Sequence, residues 1–408
     1  MSQSDHEKKI IVLHTFHPYL NNSENWIYRI LNNLINVEIV IASKQFLKNP
    51  FYPDKFQYIR FPFQRLNSDK ETVLTEFTGK FSMVINHLFY KTFLYHSVKK
   101  IRINLIHSHF APVGWQYRAV SRKLRTPHII SFYGYDYEQL PALHPEWNRR
   151  YKILFEEADA FICEGEYAAS LLQSKGCPAE KIHIVHLGAD IAKIPFFSRI
   201  KNPDELHLLQ IAALTPKKGH KYTIKSFIQA LEICPDMTLT IVGPDKDGIK
   251  QDLLDELHDD KNREKITFLD SIDFDHLYDF MENYQVFIHP SIHTEDHNSE
   301  GGAPVVLVDA QATGMPVIST YHCDIPEEVL NGETGVLVPE KDIAGLSKAI
   351  QFFYEMDNDK YQKYSNSARK HVENEYNIKK TAESLRTIYQ TVLENYQSGT
   401  IESSEKHR

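Results

Sequence analysis

Short β-branched runs alternate with longer helical patterns along this 408-residue chain, and the alternation happens twice. In the first half, Ile10–His14, Val37–Ala42, Leu105–His107, His128–Phe132, Ala160–Cys163 and Ile182–His186 read as strands. Helical patterns cover Trp26–Leu34, Gly114–Leu124 and Tyr167–Ser174. After the polar stretch Arg199–Asp204, an expected linker, the pattern restarts with strands Leu206–Ala212, Thr238–Val242, Ile266–Leu269, Val286–His289 and Val317–Thr320. Helices opening at Lys221, Gly248, Asp275 and Pro304 separate them. Parallel strands need a crossover, usually a helix, so repeated alternation predicts parallel sheets covered on both faces. A chain of this length also exceeds what one core organises. The expectation is an α/β protein with two Rossmann-like, doubly wound domains facing across a cleft. Residues 1–199 form the first and 200–380 the second, and 381–408 a C-terminal helix and tail packing back on the first. The helical pattern persists to Gln397, and the polar residues Ser398–Arg408 are expected to fray. Ligands of such sheets bind at the carboxyl ends of the strands.

Charge and cysteine usage narrow the partners. The net charge of −8 argues against nucleic acid as a general partner, so any anion site must be local. Cys163, Cys177, Cys234 and Cys323 are scattered without a CxxC pair, which points away from a disulfide framework or a zinc site and toward a reducing cytoplasm. The apolar run Ile10–Leu13 is too short for a signal or a membrane span, and no later segment approaches about 18 uninterrupted apolar residues. A cytoplasmic location follows. Between Phe51 and Arg102, aromatic and basic residues interleave, as in Phe61-Pro-Phe-Gln-Arg65, Phe89–Tyr95 and Lys99–Arg102. A buried amphipathic helix with solvated lysines is the simpler reading. A peripheral contact at the inner face of a membrane, or an acceptor surface, stays open beside it.

The stretch Ser299–Ser319 carries the chemistry. Glu300 opens a loop with Gly301 and Gly302, Pro304 permits a helix start, and Asp309 follows inside the helix. Gly314 and Pro316 then end the helix before a β-branched strand. Val305–Val308 would also pass for a strand, and the proline start and glycine stop favour helix. The first turn of a helix has unpaired N–H groups and a positive dipole end, which together attract anions. The amides of Ala303 and Val305 lie at that start, whereas Pro304 has none to give. An acid beside such a cradle can hold hydroxyls. Phosphate plus polyol suggests a nucleotide sugar.

These residues, with Asn22–Ile27, His107-Ser-His-Phe110, Phe132-Tyr-Gly-Tyr-Asp136, Leu187–Asp190, Lys217-Lys-Gly-His220, Ile288–Ser291 and Pro326–Pro339, resemble the retaining glycosyltransferases of family 4, of GT-B architecture. The resemblance runs over nearly the whole chain. It implies transfer of a hexose from a nucleotide-diphosphate sugar, by default a uridine-diphosphate one, to a hydroxyl of a glycan or lipid-linked acceptor in surface-polysaccharide assembly. It implies no resident cofactor and no metal, the nucleotide sugar being a co-substrate.

Site roles carry over residue by residue. Lys218 resembles the cation that stabilises the leaving diphosphate, with a solvated Lys217–Lys218 turn as the alternative. Glu300 resembles the acid that holds the donor hexose and Asp309 the acid that holds the ribose, with Gly301, Gly302, Ala303 and Val305 forming the cradle. Three departures matter. Ala213 stands where the family commonly has an arginine, so one diphosphate partner is missing. Eight residues rather than seven separate the two acids, the second is the shorter aspartate, and the two glycines are expected to absorb the extra residue through positive φ. Tyr133 replaces a histidine and will not carry a proton readily at neutral pH. On the acceptor side, His109 lines the cleft or is a core histidine, and no third ligand accompanies His107 and His109 for a metal. Asp136 orients the acceptor or caps the next turn. Glu24 approaches the donor phosphates or caps a helix. The loop His293–Glu300 is a candidate selectivity loop. A catalytically silent nucleotide-sugar-binding subunit and a GT-B epimerase are the alternative functions. A two-lobed solute-binding protein is disfavoured by the absence of a visible signal peptide.

Overall fold

The computed structural model describes residues 9–20, 24–47, 53–60, 90, 92–257 and 260–405. Two parallel sheets organise them. The first runs in the order β3-β2-β1-β4-β5-β6-β7, built from β1 (Ile10–Phe16), β2 (Val37–Ser43), β3 (Gln57–Arg60), β4 (Leu105–His109), β5 (His128–Ser131), β6 (Ala160–Cys163) and β7 (Ile182–Ile184). The second runs β10-β9-β8-β11-β12-β13, from β8 (Leu206–Ile211), β9 (Met237–Val242), β10 (Ile266–Leu269), β11 (Val286–His289), β12 (Val317–Thr320) and β13 (Gly335–Val338). In both, strand order reverses beside the first strand of the half, β1 or β8. The crevice outside the carboxyl ends there is the place where such sheets bind ligands. β4, β5, β6, β11 and β12 are buried along their whole length, and none of them alternates apolar and polar residues as a half-solvated strand would.

The run Val305-Val-Leu-Val308 is helical, within Val305–Ala312, with Pro304 at its N-cap. Its β-branched residues are tolerated because the helix is nearly all buried, against the second core on one side and Ala189, Ile191 and Ile194 on the other. Several elements differ from expectation. β3 and β13 are strands that the alternation did not mark. Helices Gly134–Tyr137, Gln139–Leu143 and Trp147–Glu157 fill the β5–β6 crossover. Arg199–Asp204 is not a solvated linker. Arg199 is buried, donating to the carbonyls of Thr313 and Met281, and Lys201 donates to the Tyr354 carbonyl. The boundary expected between residues 199 and 200 therefore falls inside a segment already packed on the second lobe.

The last helix, Ile378–Glu405, runs past Gln397. Its Leu385, Ile388, Tyr389 and Val392 join a first-lobe core with Val12, Ile27 and Leu31. Of the aromatic–basic segment, Phe61–Arg65 and Phe89 lie outside the described residues. Residues 92–101 form a helix whose Leu94 and Val98 are buried against Leu13, Val40 and Val113, with Lys99 and Lys100 exposed. That end follows the buried-helix reading. Among the described residues, no helix is long and apolar enough to cross a membrane.

Candidate active site at the interlobe cleft

Lys218 and Glu300 meet because their loops leave adjacent strands. β8 and β11 pair in the sheet, Pro216–Lys218 follows β8 as a 3₁₀ turn, and Glu300 lies in the connection between β11 and the helix Val305–Ala312. Gly219 locks the turn down: it has φ +70, and a Cβ there would lie 1.9 Å from the Pro290 carbonyl oxygen. Gln210 donates to the Lys218 carbonyl at 2.9 Å, and Ile292 N–H to the Lys217 carbonyl at 2.9 Å. The Lys218 ammonium then sits 2.8 Å from Glu300 Oε2. Ser291 donates to Glu300 Oε1 at 2.8 Å, and Lys217 donates to the Ser299 carbonyl at 2.8 Å, so neither lysine belongs to a solvated turn. Burial resists ionisation of Glu300, whose side chain is 7% exposed, but Lys218 and Lys217 outweigh it and hold the carboxyl well below the usual range.

A cleft of about 480 Å³ opens in front of this pair, lined from both lobes. Lys218, Glu300, Ala303, Val305 and Asp309 border it, as does Ala213, where no arginine reaches in. Asp309 accepts from Arg29 at 3.4 Å and from the Tyr278 hydroxyl at 3.3 Å. Arg29 comes from the helix Asn25–Asn33 of the first lobe and also lies over the Phe274 ring. It is a cleft cation that sequence reasoning missed, since its partner is 280 residues away. Gly301 takes φ +71 and abuts Gly134, so the Phe132–Asp136 and Ser299–Gly302 loops touch directly across the lobes.

The first-lobe candidates are less open. His109 is 4% exposed, stacked on Phe16 and His107, with Nδ1 2.8 Å from the Tyr133 hydroxyl and Nε2 3.1 Å from His14 Nδ1. It borders a cavity of about 20 Å³ behind Trp26, together with Tyr133. Tyr133 is 8% exposed, and burial pushes its phenol well above the ordinary value. Asp136 is fully buried and accepts from the Tyr133 amide at 3.0 Å, so it caps the turn instead of facing an acceptor. Burial raises its carboxyl to about 8. Glu24 is the N-cap residue of Asn25–Asn33 without a side-chain cap bond.

The fold does bring a third histidine, His14, to His107 and His109. Their nitrogens are largely committed to one another and to hydroxyls: His107 bonds Tyr389 and Ser131 at 2.7 Å each, and His109 bonds His14 and Tyr133. Burial pushes His14 down to about 3 and holds His107 and His109 well below the usual imidazole value. His293, His322 and Cys323 also cluster. There the Glu300 amide donates to His322 Nε2 at 3.0 Å, which puts the His322 proton on Nδ1, facing Glu340 Oε1 at 2.7 Å. His293 Nδ1 meets the same oxygen at 2.7 Å. Both clusters thus read as hydrogen-bonded supports, the second holding the backbone of Glu300.

Family profiles agree with this architecture. "Glycosyltransferase Family 4" matches residues 61–193 and "Glycosyl transferases group 1" matches residues 192–371. The chain belongs to the group 1 glycosyltransferases of family 4. This glycosyltransferase is 29% identical over 300 residues, 71% of each chain, to the putative colanic acid biosynthesis glycosyltransferase WcaL of Escherichia coli (strain K12). It is 26% identical over 250 residues, 59% of each chain, to the amylovoran biosynthesis glycosyltransferase AmsK of Erwinia amylovora. Its fold matches a glycosyltransferase of Rickettsia africae ESF-5 with TM-score 0.71 at 15% identity, covering 95% of this chain and 99% of the other. It also matches Anabaena Alr3699/HepE, solved with UDP and glucose, with TM-score 0.68 at 15% identity, covering 93% and 99%. Both neighbours share the GT-B architecture of two facing Rossmann-like lobes.

Proposed function

We propose that this glycosyltransferase is a retaining hexosyltransferase that takes a nucleotide-diphosphate sugar, uridine-linked by default, and glycosylates a glycan or lipid-linked acceptor in surface-polysaccharide synthesis. The observation that carries the reading is the Lys218–Glu300 ion pair at the head of a two-lobed cleft. A bound diphosphate competes for the Lys218 ammonium, and the released Glu300 carboxylate is then available to hydroxyls of the hexose. The amides of Ala303 and Val305 add positive potential at the start of their helix, and Lys218 stabilises the charge that grows on the departing β-phosphate. Asp309, steered by Arg29 and Tyr278, is placed for the ribose hydroxyls. The apolar walls Val242, Ile272 and Phe274 suit a base.

In the transfer step the anomeric carbon–phosphate oxygen bond breaks, and a bond to the acceptor oxygen forms on the same face. The acceptor proton goes to the leaving phosphate oxygen, because Tyr133 and the neutral His109 are poor bases. The ammonium and the helix start supply the positive charge, so the reading calls for no divalent ion and no resident cofactor. The UDP and glucose held by the Anabaena protein, and the polysaccharide roles named for the two bacterial relatives, support the donor and pathway class. The same roles support a cytoplasmic reading, with the Lys99–Arg102 region available for peripheral membrane contact. The test is a donor screen by thermal shift, followed by mass spectrometry and NMR of products with chelator present. Transfer with retained anomeric configuration supports the reading. Tight binding without transfer across donor and acceptor panels indicates a silent binding subunit, and a changed free nucleotide sugar indicates an epimerase.

A further inference from the structure

Glu164 had no role in the sequence reading, yet it stands where the two lobes and three cavities meet. It follows Cys163, the last residue of β6, at the carboxyl edge of the first sheet. It borders the large cleft with Lys218, Glu300 and Ala303, the small cavity of Tyr133 and His109, and a third cavity beside Glu327 and Glu328. Gly302 on the opposite lobe records how close it comes. A Cβ there would lie 1.6 Å from Glu164 Oε2 and 2.6 Å from its carboxyl carbon. Gly302 is not among the glycines with positive φ, so its backbone does not demand glycine. The missing side chain makes room for this carboxyl. Yet none of the described residues gives that carboxyl a hydrogen bond.

Glu164 is half-buried at the cleft wall, so its unpartnered carboxyl is open to a polar ligand rather than closed in the core. Burial, reinforced by Asp324 and Glu300 and opposed by Lys217, holds Glu164 well above the usual carboxylate range. That direction favours the protonated carboxyl, which both donates and accepts hydrogen bonds.

We propose that Glu164 binds the transferred sugar, holding a hydroxyl of the pyranose from the first lobe while Glu300 and the Gly301–Val305 loop hold it from the second. The inference rests on the donor reading above and deepens it: two acids facing one ring select a neutral hexose and disfavour a uronic acid. The reciprocal glycine on the second lobe belongs to the same device.

Calorimetric titration of the full chain with UDP, UDP-glucose and UDP-glucuronic acid tests it. Glu164→Ala weakens UDP-glucose at least ~10-fold and leaves UDP within ~2-fold, which also shows that the variant is folded; Glu164→Gln, still a donor and acceptor, recovers to within ~3-fold. Gly302→Ala, whose Cβ displaces the carboxyl, costs ~10-fold in the native background and under ~2-fold beside Glu164→Ala, the non-additivity of a shared contact. Equal losses of UDP and UDP-glucose, no loss of either, additive losses at 164 and 302, or UDP-glucuronic acid bound as tightly as UDP-glucose would each overturn the proposal. A native chain that binds UDP but no sugar nucleotide also overturns it. If neither UDP nor UDP-glucose binds, GDP and GDP-mannose replace them; a native chain that binds none of the four overturns the donor reading, and Glu164 with it.

Discussion

The two walls of the cleft are built in opposite ways. The second-lobe wall presents charge: Lys218, Glu300 and Asp309 border open volume and engage partners that a substrate can replace. The first-lobe wall keeps its polar groups buried and turned on one another, with His14, His109 and Tyr133 chained together and Asp136 turned back onto its own loop. A leaving diphosphate needs fixed positive charge, whereas an acceptor hydroxyl needs a shaped, dry surface. One wall is therefore electrostatic and the other steric, and Glu164 with Arg29 are where the first lobe reaches into the charged half.

Substitutions can break this contrast. Lys218→Ala is expected to cause the largest loss, ~10²-fold or more in turnover, if the ammonium meets the departing phosphate. Steady-state rates with saturating donor measure it, and a loss under ~5-fold would make the charged wall ornamental. Glu300→Gln should reduce transfer by at least ~10-fold while changing UDP affinity by less than ~3-fold, which separates hexose from phosphate recognition. Arg29→Ala, which removes a largely buried partner of Asp309, is expected to weaken UDP by only a few-fold, ~1 kcal/mol, read by titration. On the steric wall, Tyr133→Phe should lower stability by ~1 kcal/mol through the lost His109 bond and leave turnover within ~5-fold. A collapse of turnover there would mean that the phenol is chemical.

A pH slope probes the steric wall in a different way. Burial holds Asp136 at about 8, so the folded chain keeps a proton that the unfolded chain releases above its ordinary value of 3.8. This contribution makes stability fall as pH rises from about 4 toward 8 and level off beyond. Asp136→Asn retains an acceptor for the Tyr133 amide but has no proton to keep. Its melting temperature should decline less between pH 5 and 8 than that of the native chain, and parallel slopes would contradict the assignment.

The charged wall was readable chiefly through the family resemblance, which singled out Lys218 and Glu300 in loops that glycine and proline mark. The fold was legible because short β-branched runs alternate with helical patterns twice along the chain. β13 and β3 escaped because Gly335-Val-Leu-Val338 opens on a glycine directly after the turn-forming Asn331-Gly-Glu-Thr334, and Gln57-Tyr-Ile-Arg60 is polar at both ends. The helices after Tyr133 were hidden by Gly134, Pro141 and Pro145, which break helical periodicity. His14, Arg29 and Glu164 could not be read as site residues from spacing, because their partners come from other strands or the other lobe. The available signal for Glu164 was an acid directly following a buried strand, Ala160-Phe-Ile-Cys163, though such an acid also suits a helix start.

The final helix gives the enzyme a mechanical property. Because Ile378–Glu405 packs on the first lobe, the backbone passes between lobes twice, once near Ala189 and once at Tyr376–Ile378. The passages are stitched side by side, Ala189 N–H to the Tyr376 carbonyl and Ile378 N–H to the Ala189 carbonyl, at 2.9 Å each. A single strap would let the halves swivel freely; a paired one behaves like a door hung on two knuckles, free to swing and stiff against torsion. Each opening would then bring Gly134 and Glu164 back onto Gly301 and Gly302 in the same alignment, so the tail farthest in sequence from the chemistry sets its registration.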